Sequence, residues 1–214
     1  MLISELDFGS YLAYSPRGSS ELAKKSRNIL NLIKFEKNLQ EPNIFMSEFV
    51  AKKMKGDISN LPFKDFFGPD VFLVPAPKSS LMKPNSLWAS EKIAKALSKE
   101  GFGICFPCLE RVTAVTKSAT SKSEDRPKAK DHYDSLRVKS SIKVPKEIVI
   151  IDDVVTRGST LLGCASRLHK AFPNIPIRGF AVVRTISEAR KFKEISDACV
   201  GKITLSGNET FRHP

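Results

Sequence analysis

The stretch Ile148-Val149-Ile150-Ile151-Asp152-Asp153-Val154-Val155-Thr156-Arg157-Gly158-Ser159-Thr160 decides how this chain is to be read. Four consecutive β-branched residues predict a strand buried on both faces, as in a parallel sheet. Two acids stand at its tip. Behind the next two valines comes a polar turn with hydroxyls and one glycine, and then a helical pattern with Leu161, Leu162, Ala165 and Leu168 on one face. A parallel strand running into such a turn at a helix start is a phosphate cradle in physical terms. Unpaired backbone N–H groups, side-chain hydroxyls and the positive end of the helix dipole converge on one spot. The paired acids can accept sugar hydroxyls, directly or through a divalent cation.

Composition sets the frame around this stretch. The 214 residues suffice for one good core with a small appendage, and 41% hydrophobic with 27% charged residues describes an ordinary globular chain. The start, Met1-Leu2-Ile3-Ser4-Glu5-Leu6-Asp7, has no basic segment followed by a long apolar run. The expectation is therefore no signal peptide, no membrane partner and a cytoplasmic location. With 35 Lys and Arg against 23 Asp and Glu, the net charge of +12 favours polyanionic partners: a pyrophosphorylated substrate, a nucleic acid, or both. Of the four cysteines only Cys105 and Cys108 are close, which is too few ligands for a zinc site. They are expected as small hydrophobes of an apolar strand, with reduced thiols.

Outward from the central stretch, alternation of apolar strands and helices through 71–205 predicts an α/β fold with a doubly wound, mainly parallel sheet. Residues 71–74 are a strand ending in Pro75-Ala76-Pro77-Lys78-Ser79-Ser80. In an open parallel sheet such a strand end borders the ligand crevice. A helix follows over 87–99, with Ile93, Ala94 and Leu97 inward and Trp88 in its first turn as packing. A short edge strand at 104–109 contains Pro107. Strands at 177–183 and 198–205 flank a helix at 187–194. Residues 1–70 are expected as an N-terminal helical covering segment, or hood. Within it, 11–20 reads as irregular chain. Ser20 caps a helix at 21–37, Met46, Val50 and Met54 stripe a second helix, and phenylalanines at 56–69 cover the core. The last residues, 206–214, are expected as a loose tail.

Residues 112–146 carry nine Lys and Arg against four Asp and Glu and few apolar side chains, which predicts a mobile basic segment. As a flexible loop it would bring Lys117, Lys122, Arg126, Lys128 and Lys130 over a pyrophosphate.

The strand–acid–turn stretch resembles the phosphoribosyl pyrophosphate (PRPP) motif of the type I phosphoribosyltransferases. The resemblance implies that Asp152 and Asp153 hold the ribose hydroxyls as the catalytic pair. Thr156, Arg157, Gly158, Ser159 and Thr160 would then hold the 5-phosphate, and Ala76, Pro77, Lys78 and Ser79 the pyrophosphate. Mg2+ would enter as cofactor with PRPP, with the two acids in its hydration shell and no direct protein ligand. The order of landmarks over 11–184, including Val74-Pro75-Ala76-Pro77 and Arg111-Val112, is similar to the ComF family, linked to natural competence and the handling of incoming single-stranded DNA. The chain departs from that family in having no N-terminal four-cysteine zinc ribbon. It has Lys83-Pro84-Asn85-Ser86-Leu87-Trp88 where an Arg-Gly-Phe-Asn-Gln-like segment is usual, and Arg157 where a second threonine is common. Enzymes for 6-oxopurines carry an acid at the place of Thr156, so a hypoxanthine or guanine acceptor is disfavoured. Three functions stay open: phosphoribosyl transfer to a nitrogen acceptor, non-catalytic binding of single-stranded DNA, and sensing of PRPP or a nucleotide. A homodimer is also expected.

Overall fold

The computed structural model describes residues 1–116, 126–139 and 144–214. In chain order they form β1 (Glu5–Tyr14), α1 (Glu21–Lys34), the ribbon strands β2 (Asn38–Leu39) and β3 (Ile44–Phe45), and α2 (Met46–Asp57). Next come β4 (Val71–Pro75), α3 (Ala89–Lys99), β5 (Ile104–Cys105), β6 (Leu109–Arg111), α4 (Ala129–Asp134) and β7 (Leu136–Val138). The chain closes with β8 (Glu147–Val155), α5 (Ser159–Ala171), β9 (Ile177–Thr185), β10 (Cys199–Ser206) and β11 (Glu209–His213). Among the described residues one seven-stranded sheet has the order β11-β10-β1-β9-β8-β4-β5. The five strands from β1 to β5 in that order are parallel, and β10 and β11 join antiparallel.

The run of β-branched residues explains the two-sided burial. Ile148 and Ile150 pack on one face with Leu161, Leu162 and Leu168 of α5, while Val149 and Ile151 pack on the other with Ile33, Val50, Met54, Ile93 and Leu97 of α1, α2 and α3. Each such buried side chain contributes about 1.5–3 kcal/mol, so this strand anchors both layers. The molecule is thus α/β with a mostly parallel sheet and helices on both faces, compatible with double winding. Ser20 caps α1 by accepting from the Ala23 amide at 3.2 Å, and Met46, Val50 and Met54 are buried as their spacing requires.

Several expectations need correction. The N-terminal segment is not all helix, and 11–20 is not irregular throughout: β1 lies between β9 and β10 inside the sheet. Its sequence contains no β-branched residue, so the strand was invisible to propensity. The tail is not loose, because β11 pairs with β10 from Lys202↔His213 to Ser206↔Glu209. The helix expected at 187–194 is one 3-10 turn, Ala189–Lys191. Phe192 there buries against Ala13 and Ala23, and the Ala13 amide binds the Ile195 carbonyl at 2.8 Å, which draws the chain out along β1. The strand expected at 104–109 splits around Pro107: β5 closes the sheet edge, and β6 pairs instead with β7. No helix among the described residues is long and apolar enough to cross a membrane.

The basic segment is also more structured than its composition implies. Residues 129–138 hold α4 and β7, with Ala129, His132 and Leu136 buried. Two inward side chains one turn apart, Ala129 and His132, seat the short helix, and the surrounding lysines hid them. Lys117 and Lys122 lie outside the described residues.

Candidate functional site

The site arises from topology. β4 and β8 are adjacent and parallel, but the chain leaves β4 through α3 toward β5 and leaves β8 through α5 toward β9. Their outgoing loops diverge, which opens a crevice at the carboxyl ends of these two strands. The register ends at Pro75↔Ile151, and the Ala76 amide binds the Ile151 carbonyl at 2.8 Å. Asp152 and Asp153 therefore follow immediately beyond the end of β4. They do not cap the strand, as expected from sequence; β8 continues through Val155 because β9 still pairs with it at Val155↔Arg184.

Asp152 is buried, and its Oδ1 accepts from the Ser90 hydroxyl at 3.1 Å and from the Asp153 amide at 2.9 Å. Burial, and then the neighbouring Asp153 carboxylate, hold the Asp152 carboxyl well above the usual carboxylate range. Asp153 is half-buried.

The loop after β4 is braced from three sides. Trp88 donates its Nε1–H to the Ala76 carbonyl at 2.8 Å, Arg111 donates to the carbonyls of Pro77, at 3.3 Å, and Lys78, and the Val115 amide binds the Ser79 carbonyl at 2.9 Å. Ala76 and Pro77 are buried, while Lys78 and Ser79 are half-buried.

The turn after β8 is built around Gly158, which has φ +89 and whose carbonyl receives the first amide bond of α5, from Leu162 at 2.9 Å. Its hydroxyls are partnered across long sequence distances. Thr156 Oγ1 lies 3.0 Å from Thr185 Oγ1, Ser159 Oγ 2.7 Å from Thr210 Oγ1, and Thr160 Oγ1 3.4 Å from His132 Nε2. The β10–β11 hairpin closes over this turn. Arg212 donates to the Thr156 carbonyl at 2.8 Å and to the Thr185 carbonyl at 2.6 Å. Glu209 pairs with Lys128 at 3.0 Å and lies 3.8 Å from Arg157.

A buried cluster joins the two loops. Arg111, His132 and Ser135 are each at most 4% exposed, and Arg111 Nη2 lies 3.3 Å from His132 Nδ1. Burial depresses the Arg111 guanidinium from its ordinary value. Burial, reinforced by the Arg111 charge, pushes His132 down to about 4. A base depressed from 6.5 to about 4 supports the fold in its neutral form. That contribution is present above about pH 6.5 and lost as pH falls through about 4, and is worth about 3 kcal/mol. Denaturant titrations between pH 7 and 4 should show this loss in the wild type. His132→Gln, which cannot titrate, should lack that part of it.

The cluster exists because α4 can approach α5 closely. A Cβ on Gly163 of α5 would stand 2.5 Å from His132 Cβ and 2.7 Å from the Ala129 carbonyl. Gly163→Ala gains about 1 kcal/mol of helix propensity but forces α4 outward. Overpacking of this kind costs about 1–3 kcal/mol, so a Tm lower by several degrees is expected in a thermal melt.

Of the residues named from sequence, the fold brings Asp152, Asp153, the 76–79 loop, the 156–160 turn and Lys128 to this end of the sheet. Lys128 and Lys130 are not in a loop as expected: Lys128 stands at the start of α4 with its amide donating to the Asp131 carboxylate at 2.8 Å, and Lys130 on α4 pairs with Asp134 at 2.6 Å on the surface. Ser90, Arg111, His132, Thr185, Glu209, Thr210 and Arg212 were missed as site residues. Arg111 alone left a trace, in the Arg111-Val112 landmark of the resemblance. Asp152 and Asp153 are the paired carboxylates of the crevice, and no group of three or more His, Cys, Asp or Glu able to hold a metal occurs among the described residues. Two depressions elsewhere contain neither the acids nor the turn. One of about 220 Å³ lies between α2 and α3 around Glu36 and Lys92, and one of about 330 Å³ is lined by Arg137, Arg167 and Lys170 over Leu136 and Val138. No family model matches the chain, and comparison with curated proteins finds no match.

Proposed function

We propose that the protein binds PRPP with Mg2+ and transfers its phosphoribosyl group to a nitrogen acceptor, releasing pyrophosphate, as in the type I phosphoribosyltransferases it resembles. One observation carries this reading: the paired acids stand between a braced loop and a hydroxyl-rich turn, where the connections of the adjacent strands β4 and β8 diverge. The reaction breaks the bond between C1 and the pyrophosphate oxygen and forms a bond from C1 to nitrogen. Charge leaves with the pyrophosphate. Asp152 and Asp153 would accept hydrogen bonds from the ribose hydroxyls and so orient the ring. Lys78 and amides of the 76–79 loop would balance charge on the leaving group, and the 156–160 turn would hold the 5-phosphate. Asp152 and Asp153 would hold a Mg2+ ion only through its hydration shell, the ion entering with PRPP. When bound, that ion would supply charge neutralisation at the pyrophosphate.

A second reading, binding of single-stranded nucleic acid without catalysis, draws on the depression at Arg137, Arg167 and Lys170, where the Arg167 guanidinium stacks 4.0 Å from the Tyr133 ring centre. Calorimetry with PRPP and Mg2+, beside fluorescence titration with single-stranded DNA at two salt concentrations, separates the two. Saturable PRPP heat supports the phosphoribosyl reading of the site. No PRPP heat together with tight, salt-steep DNA binding overturns it in favour of the second reading.

A further inference from the structure

We propose that His132, held by Arg111, is a positioning residue that makes the Thr160 hydroxyl a hydrogen-bond donor toward an anion in the 156–160 turn. The inference rests on the phosphoribosyl reading of that turn and adds a relay to it. A guanidinium has only donors. With Arg111 Nη2 3.3 Å from Nδ1, that imidazole nitrogen must present its lone pair. The neutral ring then carries its hydrogen on Nε2, which lies 3.4 Å from Thr160 Oγ1. Thr160 accepts there, so its own hydrogen points elsewhere, and among the described residues the hydroxyl has no other partner.

The arrangement is held from every side. Arg111 is fixed by the Pro77 and Lys78 carbonyls and by Ser135, whose hydroxyl donates to the Asp131 carbonyl at 2.6 Å. The close seat of α4 on Gly163 fixes the ring. The charged groups acting on His132 are Arg111 and Asp131, and the first disfavours a second positive charge on the ring. The relay therefore links the loop after β4, through one guanidinium and one imidazole, to the hydroxyl at the start of α5. An anion bound in the turn meets a hydroxyl already oriented to donate, which a freely rotating hydroxyl would have to become on binding.

Two measurements test this. In nitrogen-15 spectra of the wild type, His132 should carry its hydrogen on Nε2 and keep that tautomer between about pH 6 and 8; a hydrogen on Nδ1 overturns the relay. In calorimetry, PRPP with Mg2+ and inorganic phosphate serve as separate probes. Thr160→Val and His132→Asn should weaken both about tenfold, because Val lacks the hydroxyl and the Asn amide reaches only the Nδ1 position. Thr160→Ser and His132→Gln, which restore a hydroxyl and an N–H at the Nε2 position, should stay within about threefold of the wild type. Circular dichroism verifies folding, and Thr160→Val, at a half-buried site, keeps the test decisive if the His132 variants unfold. Affinity unchanged in Thr160→Val overturns the relay alone. A wild type that binds neither probe overturns the phosphoribosyl reading, and the relay's task with it, whatever tautomer the spectra report.

Discussion

Asp152→Asn is expected to make the protein harder to unfold while weakening its affinity for PRPP. The carboxyl is buried beside a second carboxylate, and its ionised form is disfavoured in the fold. An acid whose folded pKa is raised supports the fold below its unfolded value, 3.8, and loses that support as pH rises through the folded value. At neutral pH Asp152 is therefore a cost. Asparagine keeps an oxygen for the Ser90 hydroxyl and the Asp153 amide and carries no charge to desolvate. Its Tm should exceed that of the wild type at pH 7–8 by about 2–4 °C for each kcal/mol recovered, and the difference should shrink toward pH 4. PRPP binding should fall at least tenfold, roughly the value of one charge-assisted hydrogen bond. A variant less stable than the wild type at pH 8 would contradict the strain assigned to this carboxyl. Stability exchanged for binding at one side chain is how a site reveals itself in a fold that does not need it.

The second large effect is expected at Gly158. Its φ of +89 lies where a Cβ is strained, and an added Cβ would stand 2.6–2.8 Å from three carbons of Ile203, a fully buried residue of β10. Gly158→Ala combines about 1–2 kcal/mol of backbone strain with about 1–3 kcal/mol of overpacking. A loss of about 3 kcal/mol and a Tm lower by about 6–12 °C should follow in a thermal melt. The clash and the strain can be told apart with Ile203→Ala. That change alone leaves a cavity, but combined with Gly158→Ala it relieves the clash, so the double variant should lose less than the two single losses added. Strict additivity would mean that the hairpin does not rest on this turn. The contact matters for function because the same hairpin delivers Glu209, Thr210 and Arg212 to the turn.

What could be read from the chain divides along a physical line. The strand of β-branched residues at 148–151, the apolar faces of α1, α2, α3 and α5, and the polar turn with its glycine are local patterns. Residues within a turn or two decide them, and the structure has them where periodicity put them. The pattern behind β1 is as local but carries no β-branched residue, so only its place between β9 and β10 makes it a strand. α4 has too few apolar positions to stand out from its lysines. It is helical because Gly163 lets it dock.

By itself, then, the sequence determined an α/β chain with a strand, two acids and a phosphate-type turn in immediate succession, since these follow from spacings of one to four residues. The tertiary structure alone decided what faces that turn. Thr160 meets His132 across 28 positions, Ser159 meets Thr210 across 51, and Arg212 reaches Thr156 across 56. Hydrogen bonds over such separations are set by sheet order and helix docking, and side-chain spacing along the chain carries no trace of them.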